Sequence, residues 1–408
     1  MYVIIGGSAA ALGCIEGIRS LDKTTPITII SDEKEYGYSR PLISYLLEGK
    51  TTQEKMSLRT KEFYQQNKVT VLAGKRAVQV DPDAHEVKLD DGSTVLYTKL
   101  LLAAGSRPFV PPVQGLETVY QKYTFMTLED AQKLHAALTP NSRVLILGAG
   151  LTGVKCAEGI AKRCGQISIV DLAPRVLPAV LDDVAASMVQ CRMEQEGIRF
   201  YLGNSVERFE HNTAVLKSGE KLDFDILVVA VGVRANVELL QEAGAKVERG
   251  VVINLRCQTS LPDIFAAGDC AQGHDAAMDE NQILPLWPSA VMQGETAGIN
   301  MAGGNAAPDR DMAINATGVF GLHMITAGSY EGEDYIEKTH TSYKRLIIDS
   351  GLLRGVIMVG DVARAGIYTN LIRTRTPLGV IDYELIKKSP QLMAFSKPER
   401  QRQLGGVV

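Results

Sequence analysis

The chain has 408 residues, of which 45% are apolar and 22% are charged, a composition typical of a globular enzyme with two or three domains. The net charge of −4 argues against nucleic acid as the main partner, because binding to phosphates requires an excess of basic residues. No apolar run approaches the roughly 18 to 20 residues needed to cross a bilayer. The first strand also begins at once, without a signal peptide, so we expect a cytoplasmic protein that does not contact the membrane.

An internal repeat organises the chain. Residues 3–30 and 144–170 each contain a short apolar strand, a glycine-rich turn, a helix of about a dozen residues and a second strand. Each βαβ unit is followed by a strand, a hairpin turn and a further apolar strand, within residues 87–105 and 214–232. Matches in the same order predict two Rossmann-like dinucleotide-binding domains in an α/β protein.

The first unit carries the looser glycine signature. Residues 6–11 keep Gly6 and a small final residue, but Ser8 stands where the second glycine of GxGxxG belongs. Asp32 ends the following strand, 26 residues after Gly6, at a position where a carboxylate can bind a ribose. This carboxylate favours a nucleotide over an ordinary glycine turn.

The second unit carries an unbroken GxGxxG at residues 148–153, directly after a strand and at the start of a helix. In this motif the glycines allow a tight turn, close approach of a pyrophosphate and close packing of helix on strand. Asp171 follows Gly148 by 23 residues and can hold both ribose hydroxyls of NAD. Its charge would repel a 2′-phosphate, which favours NAD, although Arg175 leaves NADP open.

The remaining segments suggest a connection and a third domain. Three prolines within residues 108–112 predict a stiff link between domains. A strand at 264–267 ends in Gly268 and Asp269, whose carboxylate can accept hydrogen bonds from the hydroxyls of a ribityl chain. After about residue 305, short strands predict a separate domain.

The six cysteines form no CxxC pair, and no histidine is placed to complete a zinc site, so we expect neither a metal nor an iron–sulfur cluster. Cys14, Cys156 and Cys164 lie in predicted helices behind the glycine turns, where we expect buried, inert thiols.

Three further short sequence motifs complete a family pattern, and they lie at residues 102–108, 231–236 and 266–269. With them the chain resembles, over nearly its whole length, the FAD- and pyridine-nucleotide-dependent disulfide reductase superfamily. The nearest branch contains rubredoxin and ferredoxin reductases, NADH oxidases and the FAD part of NADH-dependent nitrite reductase. The resemblance implies an FAD domain at 1–110 and 240–312, an NAD domain at 111–239, and a C-terminal α+β interface domain at 313–408 that often dimerises.

The resemblance also implies two sets of cofactor-binding residues. Those for FAD are Gly6, Gly7, Ser8, Ala9, Ala10, Ala11, Asp32 or Glu33, Arg40, Pro41, Val78, Ala104, Gly105, Arg107 and Asp269. Those for NAD are Gly148, Gly150, Leu151, Thr152, Gly153, Asp171 and Gly232. Trp287, the only tryptophan, falls where family members approach the flavin ring, but a structural tryptophan is an equal alternative.

Two departures from the family bear on chemistry. The stretch 36–45, where disulfide reductases carry a redox cysteine, has none, so electrons must leave the flavin without a protein thiol. Tyr45 and Lys155 stand where ferredoxin-reductase relatives carry a lysine and a glutamate. We hypothesise that Lys155 supplies the cation for the reduced flavin, the alternative being an outward-facing helix lysine. No catalytic acid or base is assigned.

These features predict an NADH:acceptor oxidoreductase that passes hydride from NAD(P)H to FAD and electrons to an iron–sulfur or rubredoxin-like protein. It would be the flavin subunit of a larger redox complex. The alternatives are a stand-alone, peroxide-forming NADH oxidase and a redox-sensing flavoprotein scaffold. Residues 362–408 hold eight Lys or Arg against three acidic residues, which either steer an acidic partner or form a solvated tail.

Overall fold

A computed structural model describes residues 1–396. Its first sheet has five parallel strands, and the strand Tyr2–Ile5 lies in the middle, with Ile4 beside both Ile29 and Leu101. These strands are apolar runs, as expected where helices cover both faces of a parallel sheet. In spatial order they are Ile264–Ala266, Lys99–Leu102, Tyr2–Ile5, Ile27–Ser31 and Val69–Ala73.

Two long helices cover one face of the first sheet and touch each other through glycines. The helices are Ala9–Leu21 and Trp287–Met301. A Cβ on Gly13 would collide with the backbone of Val291, and one on Gly294 with the backbone of Ala10. The same holds for Gly17 against Glu295 and Gly298 against Cys14, so glycines spaced by four bring the two backbones together.

The second sheet repeats this plan, again with five parallel strands. In spatial order they are Arg199–Leu202, Gln166–Asp171, Arg143–Leu147, Ile226–Val229 and Lys122–Tyr123. The helices Leu128–Ala137 and Leu151–Ile160 belong to this half. The predicted pair of Rossmann-like domains is therefore confirmed.

Smaller elements complete the two halves. Gly92 and Gly219 both have positive φ angles, as the predicted hairpin turns require. The strand Ser106–Pro108 pairs antiparallel with Val233–Ala235, so the outward and return connections between the halves form a two-stranded ribbon. The remaining strands are Ala77–Asp81, Glu86–Leu89, Thr94–Leu96, Val206–Glu210, Thr213–Leu216, Lys221–Asp223, Val251–Val252, Ala271–Asp275 and Glu280–Gln282. The short helices are Arg40–Leu42, Ile43–Glu48, Glu54–Met56, Lys61–Gln66, Leu116–Thr118 and Glu238–Glu242.

The C-terminal part is an antiparallel sheet with helices, which confirms the predicted α+β architecture. Its strands, in spatial order, are Ile314–Val319, Leu322–Gly328, Leu352–Val359, Tyr343–Asp349 and Glu333–Lys338. Its helices are Ala365–Thr374, Leu378–Val380, Tyr383–Lys388 and Leu392–Ala394.

The chain divides into two compact units. The first contains residues 1–174, 197–274 and 281–309, and the second contains 175–196, 275–280 and 310–408. The helix Asp183–Gln195 thus groups with the C-terminal sheet, where the Tyr343 hydroxyl donates to Asp182 at 2.7 Å. The three-domain boundaries inferred from the sequence remain a prediction. None of the helices described for residues 1–396 is long and apolar enough to cross a membrane.

Candidate dinucleotide-binding sites

A cleft of about 1060 Å³ opens where the strands of the first sheet reach their carboxyl ends. Its size and position suit a bound cofactor. Of the residues predicted for FAD, the cleft collects all but Ala11, which is buried inside the first helix. The lining residues from that prediction are Gly6, Gly7, Ser8, Ala9, Ala10, Asp32, Glu33, Arg40, Pro41, Val78, Ala104, Gly105, Arg107, Asp269 and Trp287.

The turn at the start of the cleft depends on Gly6. Its φ angle is +114°, and a Cβ there would overlap the carbonyl oxygen of Ala103 on the neighbouring strand. Ser8 precedes the helix Ala9–Leu21 in extended conformation, and its side chain makes no capping hydrogen bond. The helix therefore presents its first amides to the cleft, an arrangement that suits a pyrophosphate even with serine in place of the second glycine.

Asp269 is held at the far wall of the cleft. The Ser106 hydroxyl donates to its Oδ2 at 3.0 Å, and the Gly268 amide before it donates to Gln293 Oε1 at 2.9 Å. Burial raises the pKa of Asp269, while the hydrogen bond from Ser106 and the charge of Arg40 oppose this shift. A half-buried carboxylate that lines the cleft suits hydroxyl donors from a ligand, which would compensate its partial burial.

The carboxylate of Glu33 is oriented before any ligand arrives. The Tyr38 hydroxyl donates to Oε2 at 2.6 Å, and Arg40 forms an ion pair with Oε1. A carboxylate has about four acceptor positions, so one remains on each oxygen for a vicinal diol. The neighbouring Asp32 also lines the cleft but is exposed. Between the two residues named from the sequence, the geometry favours Glu33 as the ribose ligand.

The second glycine turn is well formed. Gly148 has a φ angle of +108°, and a Cβ there would overlap the carbonyl oxygen of Ala230. A Cβ on Gly153 would overlap the carbonyl oxygen of Gly148. A Cβ on Gly150 would meet nothing within 4 Å. The first and third glycines are thus required by the fold, whereas the second leaves space where a ligand can approach, before Leu151 and Thr152 start the helix.

Asp171 is oriented in the same way as Glu33, but by the main chain. The Ala149 amide donates to Oδ2 at 2.6 Å and the Ala173 amide donates to Oδ1 at 2.7 Å. One acceptor position again remains on each oxygen. Arg175, which left NADP open, donates to the Leu181 carbonyl at 3.1 Å and pairs with Asp183 at 3.0 Å.

Two other residues predicted for these sites have their own surroundings. Gly232 has a φ angle of +119° and leads into the ribbon strand Val233–Ala235. Lys155 is largely buried, forms an ion pair with Glu158, and places its ammonium 4.7 Å from the centre of the Tyr45 ring. It is therefore not an outward-facing lysine.

The contact between Tyr45 and Lys155 joins the helices Ile43–Glu48 and Leu151–Ile160, the second of which begins at the NAD turn. Neither Tyr45 nor Lys155 is among the residues that line the cleft.

No cysteine is among the residues that line the cleft. Cys270 follows Asp269, but it is buried and burial raises its thiol pKa to about 11. Cys14 and Cys156 are fully buried, and Cys164 is half-buried. Thiols with raised pKa values are poor nucleophiles at neutral pH, which agrees with the prediction of inert cysteines.

Sequence reasoning missed part of the cleft. Lys75 and Arg76 line it because they follow the strand Val69–Ala73, whose carboxyl end reaches the same edge of the sheet. That rule was available from the sequence. Asn236, the last residue of the motif at 231–236, also lines it, as does Met126, which no local signal marks.

The basic tail is only partly described. Lys397, Glu399, Arg400 and Arg402 lie outside the described residues. Of the remaining basic residues, Lys387 pairs with Glu384 and packs on aromatic rings. Arg364, Arg373, Arg375 and Lys388 are exposed. A basic docking surface stays a prediction.

A family model described as pyridine nucleotide-disulphide oxidoreductase matches residues 1–294. The epsilon subunit of an NADH-dependent phenylglyoxylate dehydrogenase from Aromatoleum evansii is 33% identical, covering 92% of each chain. An NADH oxidase from Methanocaldococcus jannaschii is 34% identical over 74% of this chain and 70% of its own. The reductase in a covalent putidaredoxin reductase–putidaredoxin crystal structure has the same fold, with a TM-score of 0.87 and 24% identity, covering 94% of this chain and 95% of that one.

Proposed function

This chain belongs to the pyridine nucleotide-disulphide oxidoreductase family and is an NAD(P)H-dependent flavin oxidoreductase, and we propose that it serves as the flavin subunit of a larger redox complex. Its electrons would pass from NADH through FAD to an iron–sulfur or rubredoxin-like protein. The observation that carries this proposal is that both glycine turns are well formed while no cysteine is among the residues that line the first cleft. With no thiol in reach, the acceptor must lie on another molecule.

FAD supplies the chemistry, since a flavin accepts a hydride from NADH and can release electrons one at a time. The chain supplies binding and orientation. The amides after Gly6 would hold the FAD pyrophosphate, Glu33 the adenosine ribose, and Asp269 the ribityl hydroxyls. Trp287, which lines the cleft and is half-buried, would border the flavin ring.

For the second nucleotide, the amides at the start of the helix Leu151–Ile160 would hold the NADH pyrophosphate. Asp171 would bind both ribose hydroxyls through the acceptor position left on each oxygen. The same negative charge would repel a 2′-phosphate, so NADH is the favoured donor. Domain boundaries at 1–110 with 240–312, 111–239 and 313–408 are part of this proposal.

The names of relatives support a role in a larger redox complex. One is named as a subunit of an NADH-dependent dehydrogenase, and a protein of the same fold is crystallised with its electron-transfer partner. The other, named as an NADH oxidase, favours the alternative of a stand-alone, peroxide-forming oxidase. We also propose a cytoplasmic location, as expected from the sequence. Recovery of the native flavoprotein in a membrane or periplasmic fraction would argue against this location.

Anaerobic stopped-flow spectroscopy tests the function. NADH should bleach the flavin absorbance rapidly, the reduced protein should reoxidise slowly in air, and an iron–sulfur protein should reoxidise it quickly. Fast reoxidation in air with peroxide release would instead identify an oxidase. If NADH does not reduce the flavin rapidly, a sensing or scaffold role replaces the proposal.

A further inference from the structure

Tyr38 lies in the loop between the strand Ile27–Ser31 and the helix Ile43–Glu48, and only 7% of its surface is exposed. Its hydroxyl donates to Glu33 at 2.6 Å and accepts a hydrogen bond from the Leu128 amide at 3.0 Å. The Tyr38 oxygen therefore joins Glu33, which lines the first cleft, to Leu128, which lies 90 positions after Tyr38 in the other half.

The Leu128 amide is a particular kind of donor. It is the first residue of the helix Leu128–Ala137, and the first amides of a helix have no partner within it. Thr127 and Asp130 form a capping box that serves the Asp130 and Thr127 amides. The Leu128 amide is instead hydrogen-bonded to Tyr38, so the position of this helix end depends on the loop beside the cleft.

The direction of the proton makes the two contacts depend on each other. An ionised carboxylate can only accept, so the phenol proton points to Glu33 and a lone pair of the oxygen remains for Leu128. Burial raises the pKa of Tyr38, and the charge of Glu33 adds to the shift although Arg40 opposes it. The phenol therefore stays protonated at neutral pH, and both bonds persist together.

A separate contact places the same segment at the cleft. Met126 lies two residues before Leu128 and lines the cleft directly, and its amide is held by Asp130 at 3.0 Å. A ligand in the cleft would therefore touch this segment at Met126 and reach it a second time through Glu33 and Tyr38.

We propose that Tyr38 couples occupancy of the first dinucleotide site to the position and stability of the first turn of the helix Leu128–Ala137. Tyr38 is a positioning residue: it fixes the Glu33 carboxylate for the ribose, and a fixed carboxylate in turn fixes the phenol under the Leu128 amide. Hydrogen bonds that share one oxygen polarise and stabilise each other. The inference rests on the proposed function, since it takes Glu33 as a ligand of FAD.

Amide hydrogen exchange of the ¹⁵N-leucine-labelled protein, with and without FAD, tests the coupling. FAD should slow exchange at Leu128 by about fivefold in the parent, because the free energy of one hydrogen bond, about 1 kcal/mol, corresponds to roughly that factor. In Tyr38→Phe the FAD effect at Leu128 should fall below about twofold, and FAD should bind about five- to tenfold more weakly. The matched control is Tyr36→Phe in the same loop, whose ring packs edge-on against Tyr64. It should behave as the parent.

The buried amides of Leu101 and Leu145 report on folding, and they should stay protected in both variants. If Tyr38→Phe does not fold, Glu33→Gln probes the same path and should also weaken the effect of FAD at Leu128. The coupling is wrong if the folded Tyr38→Phe variant keeps the parent's protection and affinity, or if FAD binds the parent without slowing Leu128. If the parent binds no FAD at all, the proposed function fails as well.

Discussion

The two halves of the first unit share one plan but fix their nucleotide carboxylates by different means. In the second half, the amides of Ala149 and Ala173 orient Asp171, so every group comes from within the βαβ unit. In the first half, the side chains of Tyr38 and Arg40 orient Glu33. The carboxylate of the second site is therefore oriented by the main chain, whereas that of the first site depends on side chains a few residues further along its own loop.

The rest of the first site depends on segments that are distant in the sequence. Asp269 reaches the first cleft from a strand 163 residues after its partner Ser106. The helix Ala9–Leu21 is in turn held by glycines of the helix Trp287–Met301. The first site is completed only when these far segments assemble, so we expect its variants to couple binding with stability and those of the second site to affect mainly binding.

The helix contact should give the largest effect. In Gly294→Ala the new Cβ would collide with the backbone of Ala10, which cannot move without shifting the glycine turn at Gly6. We expect a loss of about 3 kcal/mol, a fall in Tm of about 5 to 10 °C, and loss of FAD on purification. Gly150→Ala, where the Cβ meets nothing within 4 Å, is the control and should keep its Tm. Equal Tm values for the two variants would break the comparison.

The second site should lose binding with little loss of stability. Asp171→Asn removes the charge that faces the ribose, so the KM for NADH should rise by about 10- to 100-fold, the range for losing hydrogen bonds to a charged group. Flavin content should remain that of the parent, and Tm should fall by no more than about 4 °C, since asparagine keeps an acceptor for only one of the Ala149 and Ala173 amides. Adding Leu172→Arg to Asp171→Ala should shift the preference toward NADPH, since a guanidinium can pair with a 2′-phosphate. An unchanged KM for NADH in Asp171→Asn would contradict the assignment.

Substitution of Asp269 should weaken FAD binding but stabilise the FAD-free protein. Its raised pKa means that the stability associated with its protonated form is present at low pH and is lost as pH rises through the folded-state pKa. At neutral pH, Asp269→Asn should therefore raise the Tm of the FAD-free protein by about 2 to 4 °C. It should also weaken FAD binding by about tenfold. Thermal scans from pH 4 to 8 should show the gap widening as pH rises, and a constant gap would count against this account.

The smallest effect is expected where the halves meet. Lys155 and Glu158 form a largely buried ion pair beside Tyr45, so removing either charge changes the local electrostatic potential. Lys155→Met should make the flavin potential more negative and Glu158→Gln more positive, each by about threefold in the reduction equilibrium, or about 15 mV. The double variant should return close to the parent. Shifts of the same sign, or none, would exclude an electrostatic role for the pair.

The sequence predicts those features whose determinants lie close together in the chain. The repeat, the parallel sheets and the second site were predicted because their determinants are contiguous, from Gly148 to Asp171. All but one of the residues predicted for FAD line one cleft, but the sequence could not separate Asp32 from Glu33. That choice depends on Tyr38 and Arg40, whose orientation no local pattern encodes. Two further features depend on contacts between distant segments, which no local pattern encodes. They are the link from Tyr38 to Leu128 and the grouping of the helix Asp183–Gln195 with the C-terminal sheet.

The central claim is that hydride passes between these two sites and goes to no protein thiol. Anaerobic titration of the FAD-loaded protein with NADH tests this claim most directly. The account predicts that one molecule of NADH per FAD bleaches the flavin completely, and that alkylating the accessible cysteines leaves this stoichiometry unchanged. A requirement for two molecules of NADH per FAD would reveal a second two-electron centre on the chain and would contradict the account. So would a flavin that NADH does not reduce.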